Sequence, residues 1–206
     1  MVTIVDYGMG NLGSVKNMLK KIGCPCKVSV TKNDIIQAEK LILPGVGSFD
    51  NAVNNLKKLG YFDLIKEKVL VENTPILGVC LGMQLLTKGS DEGVEAGFGF
   101  IDAYAHKFIF EPSSKLKSPH MGWNFAKINK TSSLFDSMYE QENRFYFVHS
   151  FAVECEDEAD ILTTTNHGGS FVSAFEKGNI IGAQFHPEKS HKFGMAFLKN
   201  FMSLNK

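Results

Sequence analysis

The chain has 206 residues, of which 44% are hydrophobic, and its 22 basic and 22 acidic side chains leave a formal net charge of zero. That is enough apolar material for one domain over residues 1–206 with a continuous core. The even charge balance, with no run of like charges, gives no electrostatic footprint for nucleic acid or an anionic membrane, so the implied ligands are a small molecule or another protein.

No apolar run approaches the roughly 20 residues needed to cross a bilayer. The opening MVTIVDYGMG lacks the basic region and longer apolar segment of a secretory signal, so a cytoplasmic location is expected. Val2-Thr3-Ile4-Val5 reads as a strand, and Leu12, Val15, Met18, Leu19 and Ile22 recur at helical spacing before Gly23. Lys27 to Thr31 and Lys40 to Leu43 read as further strands, Asn51 to Val71 as helix interrupted at Gly60, and Ile76 to Val79 as a strand running into a helix from Leu81 to Leu86. From about Gly97 the pattern changes to strand pairs, with Phe171 to Glu176 and Ile180 to Phe185 flanking Lys177-Gly178-Asn179. Ser190 to Leu204 reads as an amphipathic helix, with Phe193, Phe197, Leu198 and Phe201 on one face and Ser190 as its cap. The expected fold is α/β: an open, mostly parallel sheet with flanking helices and an antiparallel extension.

Gly8-Met9-Gly10-Asn11-Leu12-Gly13 matches G-x-G-x-x-G between a strand and a helix, the context of a dinucleotide-binding turn. Asp34 stands where the ribose carboxylate of such a site belongs, but it also opens the pattern Ile35, Ile36, Ala38, where capping is the plainer role. The glycines themselves are explained by a tight turn. Cys24, Cys26 and Cys155 read as structural thiols in a reducing compartment, and Cys24-Pro25-Cys26 has no second pair to complete a metal knuckle, so no metal or cofactor is expected.

Gly78-Val79-Cys80-Leu81-Gly82 has the form of a nucleophile elbow. A sharp strand-to-helix turn crowds the backbone, so the residues two before and two after the nucleophile must lack a Cβ. The helix that follows would favour thiolate through its dipole and could turn its first amides toward an oxyanion. The fragment alone leaves a buried core cysteine open. A base is supplied by Gln184-Phe185-His186-Pro187-Glu188, where His186 ends a strand and Glu188 can orient the imidazole. Pro44-Gly45-Val46-Gly47, at the end of the third strand, is a weaker signal for amides aimed at developing negative charge.

These residues resemble the class I (triad) glutamine amidotransferases, through the elbow GVCLGMQLL, the loop PGVGSF and the ending QFHPEKS. Within that class, DYGMGNLGSV, PHMGWN and YFVHSF look like the glutaminase subunits of imidazole glycerol phosphate synthases. The resemblance spans nearly the whole chain. It implies that Cys80 attacks the side-chain amide of glutamine, that His186 shuttles the proton, and that Glu188 holds His186. It further implies an oxyanion region at Val46, Gly47 and Leu81, glutamine contacts at Gln84 and the backbone of His149, Ser150 and Phe151, and no cofactor. The implied partner is a (β/α)8 cyclase or synthase subunit in a heterodimer, with Asn11, Trp123, Tyr146 and Lys189 near the interface. Ammonia passed to that partner would serve histidine biosynthesis.

Three features depart from the family pattern: Gly99 to Phe110, which reads as aromatic strand, Ser118 before Pro119-His120, and Phe151 in place of the common tyrosine. They keep open a paralogue supplying ammonia for amidination of a surface-polysaccharide sugar. A cysteine peptidase or deglycase would share the elbow but would not need PGVGSF and HPEKS together, and a dinucleotide-binding protein would rest on Gly8 to Gly13.

Overall fold

The computed structural model describes every residue except 112, 137, 139–141, 205 and 206. The strands are β1 (Val2–Ile4), β2 (Cys26–Val28), β3 (Lys40–Gly45), β4 (Ile76–Cys80), β5 (Ala103–Lys107), β6 (His120–Phe125), β7 (Lys127–Ile128), β8 (Arg144–His149), β9 (Phe151–Cys155), β10 (Ile161–Asn166), β11 (Ser170–Lys177) and β12 (Ile180–Ala183). The helices are α1 (Leu12–Lys21), α2 (Lys32–Ile36), α3 (Phe49–Leu59), α4 (Phe62–Leu70), α5 (Leu81–Leu85) and α6 (His191–Ser203).

The main sheet runs β2-β1-β3-β4-β12-β11-β10-β7. It is parallel from β2 through β12 and antiparallel beyond, with β9 set against β11 and β5 against β9. A separate antiparallel pair, β6 and β8, stands beside it. Both faces of the parallel part are covered, which is why its strands read as unbroken apolar runs. Along β3, Leu41 and Leu43 pack toward α3 and α4 while Ile42 packs toward α1 and α6. Many of the phenylalanines gather on this second face, where buried Phe145 and Phe185 stack at 3.9 Å between centroids. No helix among the described residues is long and apolar enough to cross a membrane.

Most element boundaries agree with the sequence reading, and the differences have local causes. The second strand is earlier and shorter than Lys27 to Thr31, because Thr31 is drawn out as the cap of α2: Asp34 accepts from the Val30 and Thr31 amides at 2.9 Å. Gly60 splits the long helix by adopting φ +67°, a left-handed cap. Of the aromatic stretch 99–110, only β5 is strand. Ser190 begins α6 without capping it, since its hydroxyl donates to His186 O at 2.6 Å and accepts from Tyr146 N at 3.0 Å.

Candidate active site

The carboxyl ends of β3, β4 and β12 converge, and Gly45 pairs with Cys80 in the register of the first two. Cys80 has φ +56° and ψ −111°, a strained conformation at the strand-to-helix turn. The flanking glycines are required by space alone: a Cβ on Gly78 would lie 2.5 Å from Gly82 O, and one on Gly82 would lie 1.8 Å from Leu43 O. The helix behind the thiol, α5, has five residues and starts directly after Cys80, so any dipole effect at the sulfur comes from a single turn.

His186 follows β12, held by Phe185 within the aromatic core and by its own amide, which donates to Tyr146 O at 2.9 Å. Its Nδ1 pairs with Glu188 Oε1 at 2.7 Å, both side chains being 2% exposed, and its Nε2 is buried without a hydrogen bond. Burial would push this imidazole down, but the Cys80 thiol and the Glu188 carboxylate outweigh it and raise it to about 9. The protonated imidazole is thus favoured beside Cys80, with Nδ1 anchored and Nε2 placed for proton transfer.

A cavity of about 270 Å³ opens over the thiol, lined by Val46, Gly47, Cys80, Leu81, Gln84, Glu92, Val148, His149, Ser150, Phe151 and His186. Cys80, His186, the three oxyanion candidates and the four glutamine-contact candidates therefore meet in one space, with Glu188 behind His186. Gly47 has φ +110°, and Tyr7 donates from its hydroxyl to Pro44 O at 2.8 Å, bracing the loop from below. Larger hollows lie beside Phe108 and His167, about 420 Å³, and beside Asp6 and Lys58, about 460 Å³, but neither is lined by a cysteine.

Three contributors escaped the sequence reading. Gln184 Nε2 donates to Cys80 Sγ at 3.6 Å, and its Oε1 accepts from Gln84 Nε2 at 3.1 Å. Its position two residues before His186 was the available signal, since extended backbone puts alternate side chains on one side. The thiol also donates to Val148 O at 3.7 Å, which no side-chain pattern encodes. Glu92 reaches the cavity because its carboxylate accepts from Phe49 N at 2.9 Å at the start of α3, while Asp50 accepts from Val94 N and Glu95 N at 3.0 Å.

The interface candidates lie apart from the cavity. Trp123 and Tyr146 are cross-strand neighbours with ring centroids 6.3 Å apart, and Lys189 Nζ sits 5.8 Å from the Tyr146 ring. Exposed Met121, Trp123 and Phe125 alternate along β6 and pair with Val148, Tyr146 and Arg144 on the same outer face. Asn11 is exposed at the start of α1, where its side chain accepts from Ser14 N at 3.2 Å. The dinucleotide reading finds little support: a Cβ on Gly13 would meet nothing within 4 Å, so that glycine serves no close helix packing, and Asp34 is occupied by its cap and by Lys27 at 2.8 Å. Cys24, Cys26 and Cys155 are free and half-buried, whereas Cys80 is buried.

The family model for class-I glutamine amidotransferases matches residues 3–204. The chain is 54% identical to imidazole glycerol phosphate synthase subunit HisH 2 of Methanococcus maripaludis, over 98% of each chain. It is 47% identical to the subunit of the same name from Pseudomonas aeruginosa, over 99% of this chain and 100% of that one. Among solved structures, PurLQS from Thermotoga maritima superposes with a TM-score of 0.73 at 16% identity, covering 98% of this chain and 96% of that one. The glutaminase domain of CTPS from Trypanosoma brucei gives 0.64 at 15%, covering 100% of this chain and 94% of that one. At such identities the superpositions speak for the fold.

Proposed function

Because the chain belongs to the class I glutamine amidotransferase family, we propose that it is the glutaminase subunit of an imidazole glycerol phosphate synthase. It cleaves glutamine to glutamate and passes the ammonia to a (β/α)8 synthase subunit. The observation that carries this reading is the meeting of a strained, buried cysteine, a carboxylate-held imidazolium and a cavity of amino-acid size.

The steps follow from those positions. With the thiol proton passed to His186 Nε2, the Cys80 sulfur attacks the amide carbon of the glutamine side chain, and the carbonyl electrons move onto oxygen, where the amides of the Val46, Gly47 and Leu81 region receive the charge. His186 gives its proton to the departing nitrogen, ammonia leaves, and a γ-glutamyl thioester remains on Cys80. Water then loses a proton to His186, attacks the thioester and releases glutamate and the thiol. Glu188 keeps Nδ1 occupied, so proton traffic is confined to Nε2. Gln84 and the Ser150 and Phe151 backbone hold the amino-acid end, and Glu92 offers a carboxylate to its α-ammonium.

A partner is chemically required, because ammonia released into neutral water is protonated and loses its lone pair. The outer face of β6 and β8 suits that partner: it exposes Met121, Trp123 and Phe125 beside Tyr146 and Lys189, and Val148 on the same strand reaches the cavity. The names of the relatives favour the histidine-pathway acceptor over the polysaccharide sugar. In the reconstituted complex, Cys80→Ala abolishes glutamine-dependent synthesis while synthesis from free ammonia persists; retained glutamine-dependent synthesis sinks the assignment.

A further inference from the structure

His120 and Asn124 belong to the PHMGWN stretch, yet neither lines the catalytic cavity nor points with Trp123 to the outer face. His120 shares the inner face of the β6–β8 pair with His149, and the two are 4% and 5% exposed.

Their hydrogen bonds can run in only one direction. The Asn124 side-chain oxygen accepts from Phe125 N at 2.8 Å, which fixes the amide. Its nitrogen then spends both protons, on Asn166 O at 2.9 Å and on His120 Nε2 at 3.1 Å. His120 Nε2 is therefore an acceptor, so the ring proton sits on Nδ1 and is donated to His149 Nε2 at 3.0 Å. His149 must in turn carry its proton on Nδ1, which donates to Phe151 O at 2.7 Å. The same carbonyl receives Gln84 Nε2 at 3.4 Å, and Gln84 leads through Gln184 to the Cys80 sulfur.

We propose that His120, oriented by Asn124, is a positioning residue: acting through the His149 imidazole, it holds the Phe151 peptide in the conformation that receives glutamine. The inference rests on the glutaminase reading above. Both rings must stay neutral for the chain to exist, since an imidazolium has no lone pair to accept with; burial does this, pushing His120 down to about 4 and His149 to about 3. The packing leaves the rings little freedom, with His120 stacked on His167 at 4.2 Å and on Phe147 at 4.8 Å between centroids. Because His120 touches neither the thiol nor the triad, its loss loosens the substrate-binding peptide and spares the chemistry.

The test uses the full chain in its complex with the synthase partner, and L-glutamine is the probe. His120→Leu raises KM about tenfold, equivalent to about 1.4 kcal/mol, with kcat within about threefold. His120→Asn, whose amide can place an N–H near the position of Nδ1, returns KM to within about threefold of the unmodified complex. Nitrogen-15 spectra of the unmodified chain show Nδ1–H on both rings, a readout that survives even if the leucine variant fails to fold. Equal KM in the two variants, or Nε2–H on either ring, overturns the proposal. An unmodified complex that releases no glutamate overturns the glutaminase reading itself, whereas normal turnover with an unchanged KM in His120→Leu overturns only this inference.

Discussion

On the parallel side of the cavity, the Gly78–Gly82 elbow that carries Cys80 is held by backbone crowding; on the antiparallel side, His149 to Phe151 are held by side chains that hydrogen-bond across strands. The first kind of constraint acts through contacts too close for any Cβ. The second acts through donors and acceptors that must match one another. On the proposed reading, a site placed between them gains a nucleophile that cannot relax and a substrate wall that can be adjusted by single side chains.

Gly82→Ala tests the first constraint most severely. Its Cβ would fall 1.8 Å from Leu43 O, so β3 or α5 must move, and a stability loss on the order of 4 kcal/mol or more is expected in denaturant unfolding. A variant of near-normal stability would show that the elbow is softer than the contact implies. Glu188→Gln tests the join between the two sides. It lowers kcat about 100-fold while the fold survives, as stopped assays of glutamate release would record.

The same substitution moves a pH limb. The folded pKa of His186 is raised above its ordinary 6.5, so the bound proton stabilises the fold fully below 6.5 and that contribution is lost as pH rises through about 9. Glutamine turnover needs this proton for the leaving nitrogen and falls over the same alkaline limb. Without the Glu188 charge the limb shifts to lower pH; a profile identical to that of the unmodified chain contradicts the electrostatic role. The smallest effect belongs to the outer face: Trp123→Ala weakens the synthase complex by about 2 kcal/mol, read by titration calorimetry, and changes the stability of the isolated chain by less than about 1 kcal/mol.

The contrast also explains what could be read from the residues alone. Gly78 and Gly82 announce the elbow because steric exclusion leaves a compositional mark at fixed spacing. His186 and Glu188 are legible for a similar reason, since one short turn brings the carboxylate back to the ring. Gln184, Glu92 and the His120–His149 contact are not, because each depends on strand register or loop docking between residues far apart in the chain. Ser190 looks like a cap because the local pattern S-H-K-F resembles a helix start, while the competing acceptor, His186 O, is generated only when the catalytic turn closes.

Strand β8 presents Arg144, Tyr146 and Val148 outward and buries Phe145, Phe147 and His149. A single inserted or deleted residue would exchange those two sets, turning core phenylalanines to solvent and the outward side chains into the aromatic interior. Substitutions at 144, 146 and 148 carry no such penalty. The strand is therefore closed to change in its length, a constraint that would appear in a set of homologous sequences as a gap-free segment.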